Sequence, residues 1–208
     1  MVHGTVIDIK SSFGHNIKNW LLRQEPESRS LVVLFPGSIG AYFIPLLDYA
    51  RNVALQRNCD VLNIEYGFTR TEHFLSYNFY DDIVRETQEA VTACDLARYE
   101  RIYFISKSYG TLVAGEIADR LSAHSIKNLF LTPLEATLPY LAKQGCAIVM
   151  GTKDRLFPDI SRIESLSDVQ LYKFGGANHS LEIDDSYEKS LEILAAVSKI
   201  YDTFLCGG

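Results

Sequence analysis

Residues 101–121 read Arg101-Ile-Tyr-Phe-Ile-Ser-Lys-Ser-Tyr-Gly-Thr-Leu-Val-Ala-Gly-Glu-Ile-Ala-Asp-Arg-Leu121. Ile102 to Ile105 is a short, nearly all-apolar run, which is typical of a strand buried on both faces. Thr111 to Leu121 has the apolar spacing of a helix. The residues between them, 106–110, are Ser-Lys-Ser-Tyr-Gly, so the sequence predicts that Ser108 lies on a sharp strand-to-helix turn.

Such a turn strains the backbone of its middle residue and raises that side chain above the edge of the sheet. Strand and helix press together beneath it, so the residues two before and two after must be small. Ser106 and Gly110 meet this requirement, and the chain matches G-x-S-x-G with serine in the first small position. A serine before a helix can also be a simple N-cap, but the buried strand before it and the helix after it favour a nucleophile.

Length and composition indicate one folded domain spanning residues 1–208. The chain has 208 residues, of which 47% are hydrophobic, enough for a full core. Its net charge of −6, without a local run of Lys or Arg, gives a nucleic acid no electrostatic reason to bind. No apolar stretch approaches the roughly 18 residues of a spanning helix, and the N-terminus lacks a signal pattern, so we expect a cytoplasmic protein without a membrane partner.

Metal and cofactor chemistry finds no support in the sequence. The four cysteines, at positions 59, 94, 146 and 206, form no C-x-x-C pair and are expected to be reduced structural thiols. The phosphate-binding and dinucleotide-binding glycine motifs are absent, as is H-E-x-x-H. We therefore expect no cofactor and no metal.

Strands and helices alternate along most of the chain. The predicted strands are Thr5–Ile9 and Asn19–Leu22, paired antiparallel, then Leu31–Phe35, Asp60–Glu65, Ile102–Ile105, Lys127–Thr132, Cys146–Met150 and Val169–Phe174. The predicted helices are 44–56, 80–97, 111–121 and 187–205, the last with an inward face of Tyr187, Leu191, Leu194, Tyr201 and Leu205. This order predicts an α/β fold with a mainly parallel central sheet and helices on both faces.

The turn around Ser108, together with the order of elements, resembles the α/β-hydrolase family, and in particular its small esterase-like and dienelactone-hydrolase-like members. The resemblance implies a three-layer α/β/α fold and a serine nucleophile. Only residues 133–145 separate the predicted strands Lys127–Thr132 and Cys146–Met150. Such proteins often carry a large lid at this point, so we expect an open site with a minimal lid. The aromatic-rich segment 66–79, which includes His73, could line an acyl pocket or simply pack on the body of the protein.

Three polar residues lie just beyond predicted strand ends in the serine, acid, histidine order that the resemblance predicts: Ser108, Asp154 and His179. Loops at the carboxyl end of a parallel sheet converge on one crevice, so these residues can meet. A serine hydroxyl needs an adjacent base, and the resulting imidazolium needs an acid partner. Asp184 and Asp185 are rival acids, but they lie close to His179 in sequence and are better placed to begin the final helix.

The resemblance also implies two main-chain donors for an oxyanion. Tyr109 N–H follows the nucleophile, and the loop Pro36-Gly37-Ser38 after the third strand stands where the family often has His-Gly-X. Ser38 N–H is the candidate, with Ile39 as the fallback. The other interpretation of this loop is an ordinary strand-to-helix connector.

The sequence thus predicts a serine hydrolase that acts on a small-molecule acyl substrate, with a carboxylic ester or thioester as the leading class. A peptidase or amidase with the same three residues is one alternative. A binding protein that retains the fold without turnover is the other. Neither the acyl group nor the oligomeric state can be deduced from the residues.

Overall fold

A computed structural model describes residues 1–38, 44–70, 79–143, 145–167 and 169–206. Two candidates from the sequence, Ile39 and His73, lie outside the described residues, as does most of the aromatic segment that could have lined a pocket. The part of that segment that is described includes Tyr66 and Phe68, which are both buried in the core.

The centre of the sheet is built from strands with apolar side chains on both faces. All six residues of Ser30–Phe35 are buried. Leu31 and Val33 contribute to one hydrophobic cluster, and Val32 and Leu34 contribute to another. Because successive side chains of a strand point to opposite faces, these two clusters lie on opposite sides of the sheet. Such a strand must be covered by helices on both sides, as the sequence predicts.

Eight strands form one sheet. They are β1 (Val2–Lys10), β2 (Asn16–Gln24), β3 (Ser30–Phe35), β4 (Asp60–Asn63), β5 (Arg101–Lys107), β6 (Ile126–Leu131), β7 (Ala147–Gly151) and β8 (Gln170–Phe174). Their order across the sheet is β1-β2-β4-β3-β5-β6-β7-β8. The pairs β1–β2 and β2–β4 are antiparallel, and every other neighbouring pair is parallel. The predicted mainly parallel sheet with an antiparallel first pair is confirmed.

Helices cover both faces of this sheet. The described helices are α1 (Pro45–Gln56), α2 (Tyr80–Thr92), α3 (Tyr109–Arg120), α4 (Leu138–Leu141), α5 (Ser161–Glu164) and α6 (Tyr187–Cys206). Buried residues of α2 and α3 belong to the same cluster as Leu31, whereas those of α1 and α6 belong to the cluster of Val32. This arrangement gives three layers and confirms the predicted fold class.

The predicted helix 80–97 ends earlier in the structure. α2 stops at Thr92, and a short 3-10 turn at Leu96–Arg98 follows. Asp95 between them has φ 56°, a left-handed conformation that interrupts helical hydrogen bonding. Cys94 is nevertheless buried, so its apolar position extended the helical pattern beyond the true end of the helix.

The predicted inward face of α6 is wrong for its first turns. Tyr187 is 74% exposed and Leu191 is 59% exposed, whereas Tyr201 and Leu205 are buried as predicted. Ile193, Val197 and Ile200 complete the face that packs on the sheet. The helix has a second apolar stripe, and periodicity alone cannot tell which of two apolar stripes faces the core.

Candidate active site

Ser108 lies at the turn between β5 and α3 with φ 52° and ψ −121°. A non-glycine residue with positive φ is uncommon and stores strain that the surrounding structure must hold. Part of that support comes from hydrogen bonds: Ser108 N donates to Leu131 O at 3.0 Å, and Thr111 Oγ1 donates to Ser108 O at 2.6 Å. The backbone of the candidate nucleophile is therefore fixed on both sides.

The two residues that flank Ser108 at a distance of two positions, Ser106 and Gly110, differ in how closely they are packed. A Cβ atom at Gly110 would lie 2.4 Å from Pro36 O, so the start of α3 packs directly against the end of β3. Ser106 is fully buried, and its Oγ donates to Leu129 O of the neighbouring strand at 3.5 Å. The sheet thus has room for the hydroxymethyl group of Ser106 where glycine is more usual.

The structure brings Ser108, His179 and Asp154 together in one hydrogen-bonded row. His179 Nε2 lies 2.8 Å from Ser108 Oγ, and His179 Nδ1 lies 2.8 Å from Asp154 Oδ2. The Asp154 carboxylate is completely buried, while the His179 imidazole remains 22% exposed. A row of this kind can remove the proton from the serine hydroxyl and hold the resulting imidazolium against a carboxylate.

The loops that carry Asp154 and His179 are joined to each other. A Cβ atom at Gly151, the last residue of β7, would lie 2.1 Å from Ala177 O, so only glycine fits there. Lys153 N donates to the same carbonyl at 2.9 Å, and Gly176 N donates to Thr152 Oγ1 at 2.8 Å. These contacts explain the glycine and the threonine at the start of the acid loop.

The rival acids have other surroundings. Asp184 is exposed, and its Oδ1 accepts a hydrogen bond from Asn178 Nδ2 at 2.7 Å. Asp185 is exposed as well. The carboxylate that contacts His179 is that of Asp154. Its second oxygen, Oδ1, accepts a hydrogen bond from Leu156 N at 2.9 Å. Both oxygens of Asp154 are therefore engaged.

The two candidate oxyanion donors come from different parts of the chain. Tyr109 is the first residue of α3, directly after the serine. Ser38 lines the same cavity as Ser108 and His179. A Cβ atom at neighbouring Gly37 would lie 3.4 Å from Ser108 Cβ, which shows how close this loop comes to the serine.

Lys107 is a site residue that sequence reasoning did not single out. It is 8% exposed, and its Nζ donates to His179 O at 3.2 Å and to Thr132 Oγ1 at 3.4 Å. Burial lowers the pKa of its ammonium, and the carboxylates of Asp154 and Glu182 partly oppose that change. Lys107 therefore ties the turn at Ser108 to the loop of the histidine.

The described part of the chain contains no cluster of three or more His, Cys, Asp or Glu side chains arranged to hold a metal ion. None of its helices has both the length and the apolar character that crossing a membrane requires. All four cysteines are free thiols; three of them are buried, and Cys206 is exposed.

Comparison by sequence finds no matching family model and no matching curated protein. Comparison of the fold finds many solved structures over nearly the whole chain. A dienelactone hydrolase from Anabaena variabilis has a TM-score of 0.75 at 15% identity, covering 99% of this chain and 98% of that one. The esterase Est1E from Butyrivibrio proteoclasticus, solved with ferulic acid bound, has a TM-score of 0.73 at 12% identity, covering 97% and 98%.

A lidless α/β serine hydrolase from Xanthomonas campestris has a TM-score of 0.65 at 14% identity, covering 95% of this chain and 93% of that one. These likenesses agree with the mainly parallel sheet and the three layers described above. The chain therefore has the α/β-hydrolase fold.

Proposed function

We propose that the protein is a serine hydrolase that cleaves a small-molecule carboxylic ester or thioester through an acyl-enzyme on Ser108. The observation that carries the proposal is the row Ser108 Oγ, His179 Nε2, His179 Nδ1 and Asp154 Oδ2, with both contacts at 2.8 Å. The hydrolase and esterase names of the structural neighbours support the same class of reaction.

In the first half of the reaction, His179 Nε2 accepts the proton of Ser108 Oγ while that oxygen attacks the acyl carbonyl. Asp154 accepts the hydrogen bond from Nδ1–H, which keeps the unprotonated nitrogen directed at the serine. The imidazolium then gives its proton to the departing alkoxide or thiolate, and the acyl group remains on Ser108.

In the second half, His179 Nε2 takes a proton from a water molecule, which attacks the acyl-enzyme carbonyl. The tetrahedral intermediate collapses, Ser108 Oγ recovers a proton from the imidazolium, and a carboxylic acid leaves. The N–H groups of Tyr109 and Ser38 would stabilise the oxyanion in both halves. Losing one such donor typically lowers kcat by about 10² to 10³.

A series of nitrophenyl esters, assayed on wild type and on Ser108→Ala, tests the proposal. We expect the variant to fold normally and to lose roughly 10⁴-fold or more of its turnover. Ser106→Ala is the matched control, because it removes a hydroxyl of the same turn that lies outside the hydrogen-bonded row. Retained turnover in purified Ser108→Ala would place the nucleophile elsewhere.

A fluorophosphonate probe followed by mass spectrometry tests the acyl-enzyme directly. Labelling of Ser108 in folded wild type, retained in Ser106→Ala and lost in His179→Ala, is the expected pattern. Absence of labelling in the folded protein would favour a binding protein that retains the fold. Faster cleavage of a peptide panel than of any ester would favour a peptidase.

A further inference from the structure

A cavity of about 550 Å³ opens beside Ser108 and His179. Its walls come from the loop after β3, the start of α1, the turn at Ser108, the loops after β7 and β8, and the outer stripe of α6. Its apolar lining residues include Ile44, Leu46, Leu156, Tyr187, Leu191 and Leu194. The reacting hydroxyl therefore borders a cavity whose wall is rich in apolar side chains.

Three of these wall residues are far more exposed than apolar side chains of their size normally are. Tyr187 is 74% exposed, Leu191 is 59% exposed and Leu156 is 53% exposed. Single exposed apolar residues are common, but a group of them around one concavity marks a binding site. The two on α6 are one helical turn apart and line the cavity, and Leu194, which also lines it, packs against the core as well.

Among the described residues, the charged side chains at the cavity do not form a receptor for an anion. Lys107 and Glu182 line it. The ammonium of Lys107 already donates to His179 O and Thr132 Oγ1, and Asp154 and Glu182 are its charged neighbours. A carboxylate on the substrate would meet the carboxylate of Glu182 beside a cation that is already hydrogen-bonded.

We propose, on the basis of the serine hydrolysis proposed above, that the cavity binds an uncharged apolar chain of the ester and that Leu191 and Tyr187 of α6 determine the preference for chain length. The chain can belong to the acyl or to the alcohol part, since both are attached to the carbonyl carbon that Ser108 attacks. The occupant is therefore a lipophilic ester, and not a short polar or anionic one.

Two substrate series distinguish the acyl from the alcohol part: nitrophenyl esters from acetate to decanoate, and alkyl acetates from methyl to octyl. In the series whose chain enters the cavity, kcat/KM rises by roughly threefold for each added methylene until the cavity is full. An ester with a terminal carboxylate in place of the last methyl group falls well below its neutral counterpart. The proposal is overturned if neither series rises, or if the carboxylate is preferred.

The variants Leu191→Ser and Tyr187→Ser assign the effect to α6. We expect each to lower kcat/KM for the longest good substrate by about tenfold and to flatten the rise of kcat/KM with chain length. Tyr49→Ser is the matched control, because Tyr49 is an exposed tyrosine on α1 that does not line the cavity. Equal losses on short and long esters, or an unchanged chain-length profile, would overturn the assignment.

Fluorophosphonate labelling of Ser108 separates this inference from the function on which it rests. If Ser108 is labelled and short esters turn over without any gain from longer chains, the hydrolase proposal stands and the lipophilic substrate is excluded. If Ser108 is neither labelled nor needed for turnover, both proposals fail together.

Discussion

Replacing Asp154 by Asn tests whether the carboxylate sets the tautomer of His179. The two side chains have nearly the same shape, and only the asparagine oxygen can accept the hydrogen bond that Leu156 N donates to Oδ1 at 2.9 Å. The amide nitrogen must then occupy the position of Oδ2, 2.8 Å from His179 Nδ1 in the wild type. An NH₂ group can only donate to that nitrogen, so the imidazole proton moves to Nε2 and points at Ser108.

A protonated Nε2 cannot accept the serine proton. We therefore expect kcat to fall by roughly 10⁴-fold, equivalent to about 5 kcal/mol of transition-state stabilisation, with little change in KM. Fluorophosphonate labelling of Ser108 should slow by a comparable factor. Because the Leu156 contact is retained, the folded structure should survive, as circular dichroism and thermal unfolding can verify.

Asp185→Asn is the matched control for this experiment. It changes an exposed acid of the histidine loop that could have competed for the same role, and its kcat should stay within about twofold of wild type. A kcat within tenfold of wild type for Asp154→Asn would refute the reasoning. A large loss of kcat in Asp185→Asn instead would indicate that Asp185 is the acid that acts on His179.

Three further substitutions or measurements test the surroundings of the site and the core. Lys107→Met should lower kcat by about tenfold, because the histidine loop loses the bond to its carbonyl, and yet raise Tm at pH 7. The predicted rise in Tm follows from the lowered pKa of Lys107. Below the pKa of Lys107 in the folded protein, its buried positive charge destabilises the fold, and this destabilisation disappears as the pH rises towards the ordinary lysine pKa of 10.5. An unchanged kcat or a lowered Tm would contradict this. Tyr201→Phe should raise the free energy of unfolding by about 1 kcal/mol, because the Tyr201 hydroxyl is buried without a hydrogen-bond partner among the described residues. Tyr103→Phe should lower the free energy of unfolding by a similar amount, because it removes a hydrogen bond to Leu205 O. Urea unfolding measures both, and equal effects would show that the Tyr201 hydroxyl is satisfied. One thiol per folded chain, that of exposed Cys206, should react with a disulfide reagent at pH 8, and all four should react in denaturant. Burial raises the pKa of the other three thiols to about 11 for Cys59, about 12 for Cys94 and about 11 for Cys146. Rapid reaction of more than one thiol in the folded protein would therefore contradict their burial.

The sheet and the turn at Ser108 could be predicted because their signals are local. A run such as Leu31 to Phe35 can be satisfied only by burial on both faces, and the structure buries every one of these side chains. The meeting of Ser108, Asp154 and His179 could also be predicted, since parallel strands place their following loops at one edge. Distance in sequence did not matter there because the sheet itself determines the geometry.

Features that depend on contacts between distant elements could not be predicted in the same way. The bond from Lys107 to the carbonyl of His179 joins two loops that nothing in the local sequence pairs. Tyr187 and Leu191 have the spacing of a core face, but the sheet is already covered by Ile193 and Val197. Periodicity registers an apolar stripe without revealing whether protein or ligand is to cover it.

The close contact of Gly151 with Ala177 makes the acid and the base parts of one rigid module. With Lys153 N and Gly176 N bonded across the same junction, any shift of the Asp154 loop carries the imidazole with it. The serine comes from the β5–α3 turn, and Lys107 of the same turn donates to His179 O, so the turn is bonded to this pair of loops. Protein engineers who wish to graft this chemistry onto another scaffold should transplant residues 151–179 as a single segment and keep a lysine before the serine that reaches the carbonyl of the histidine.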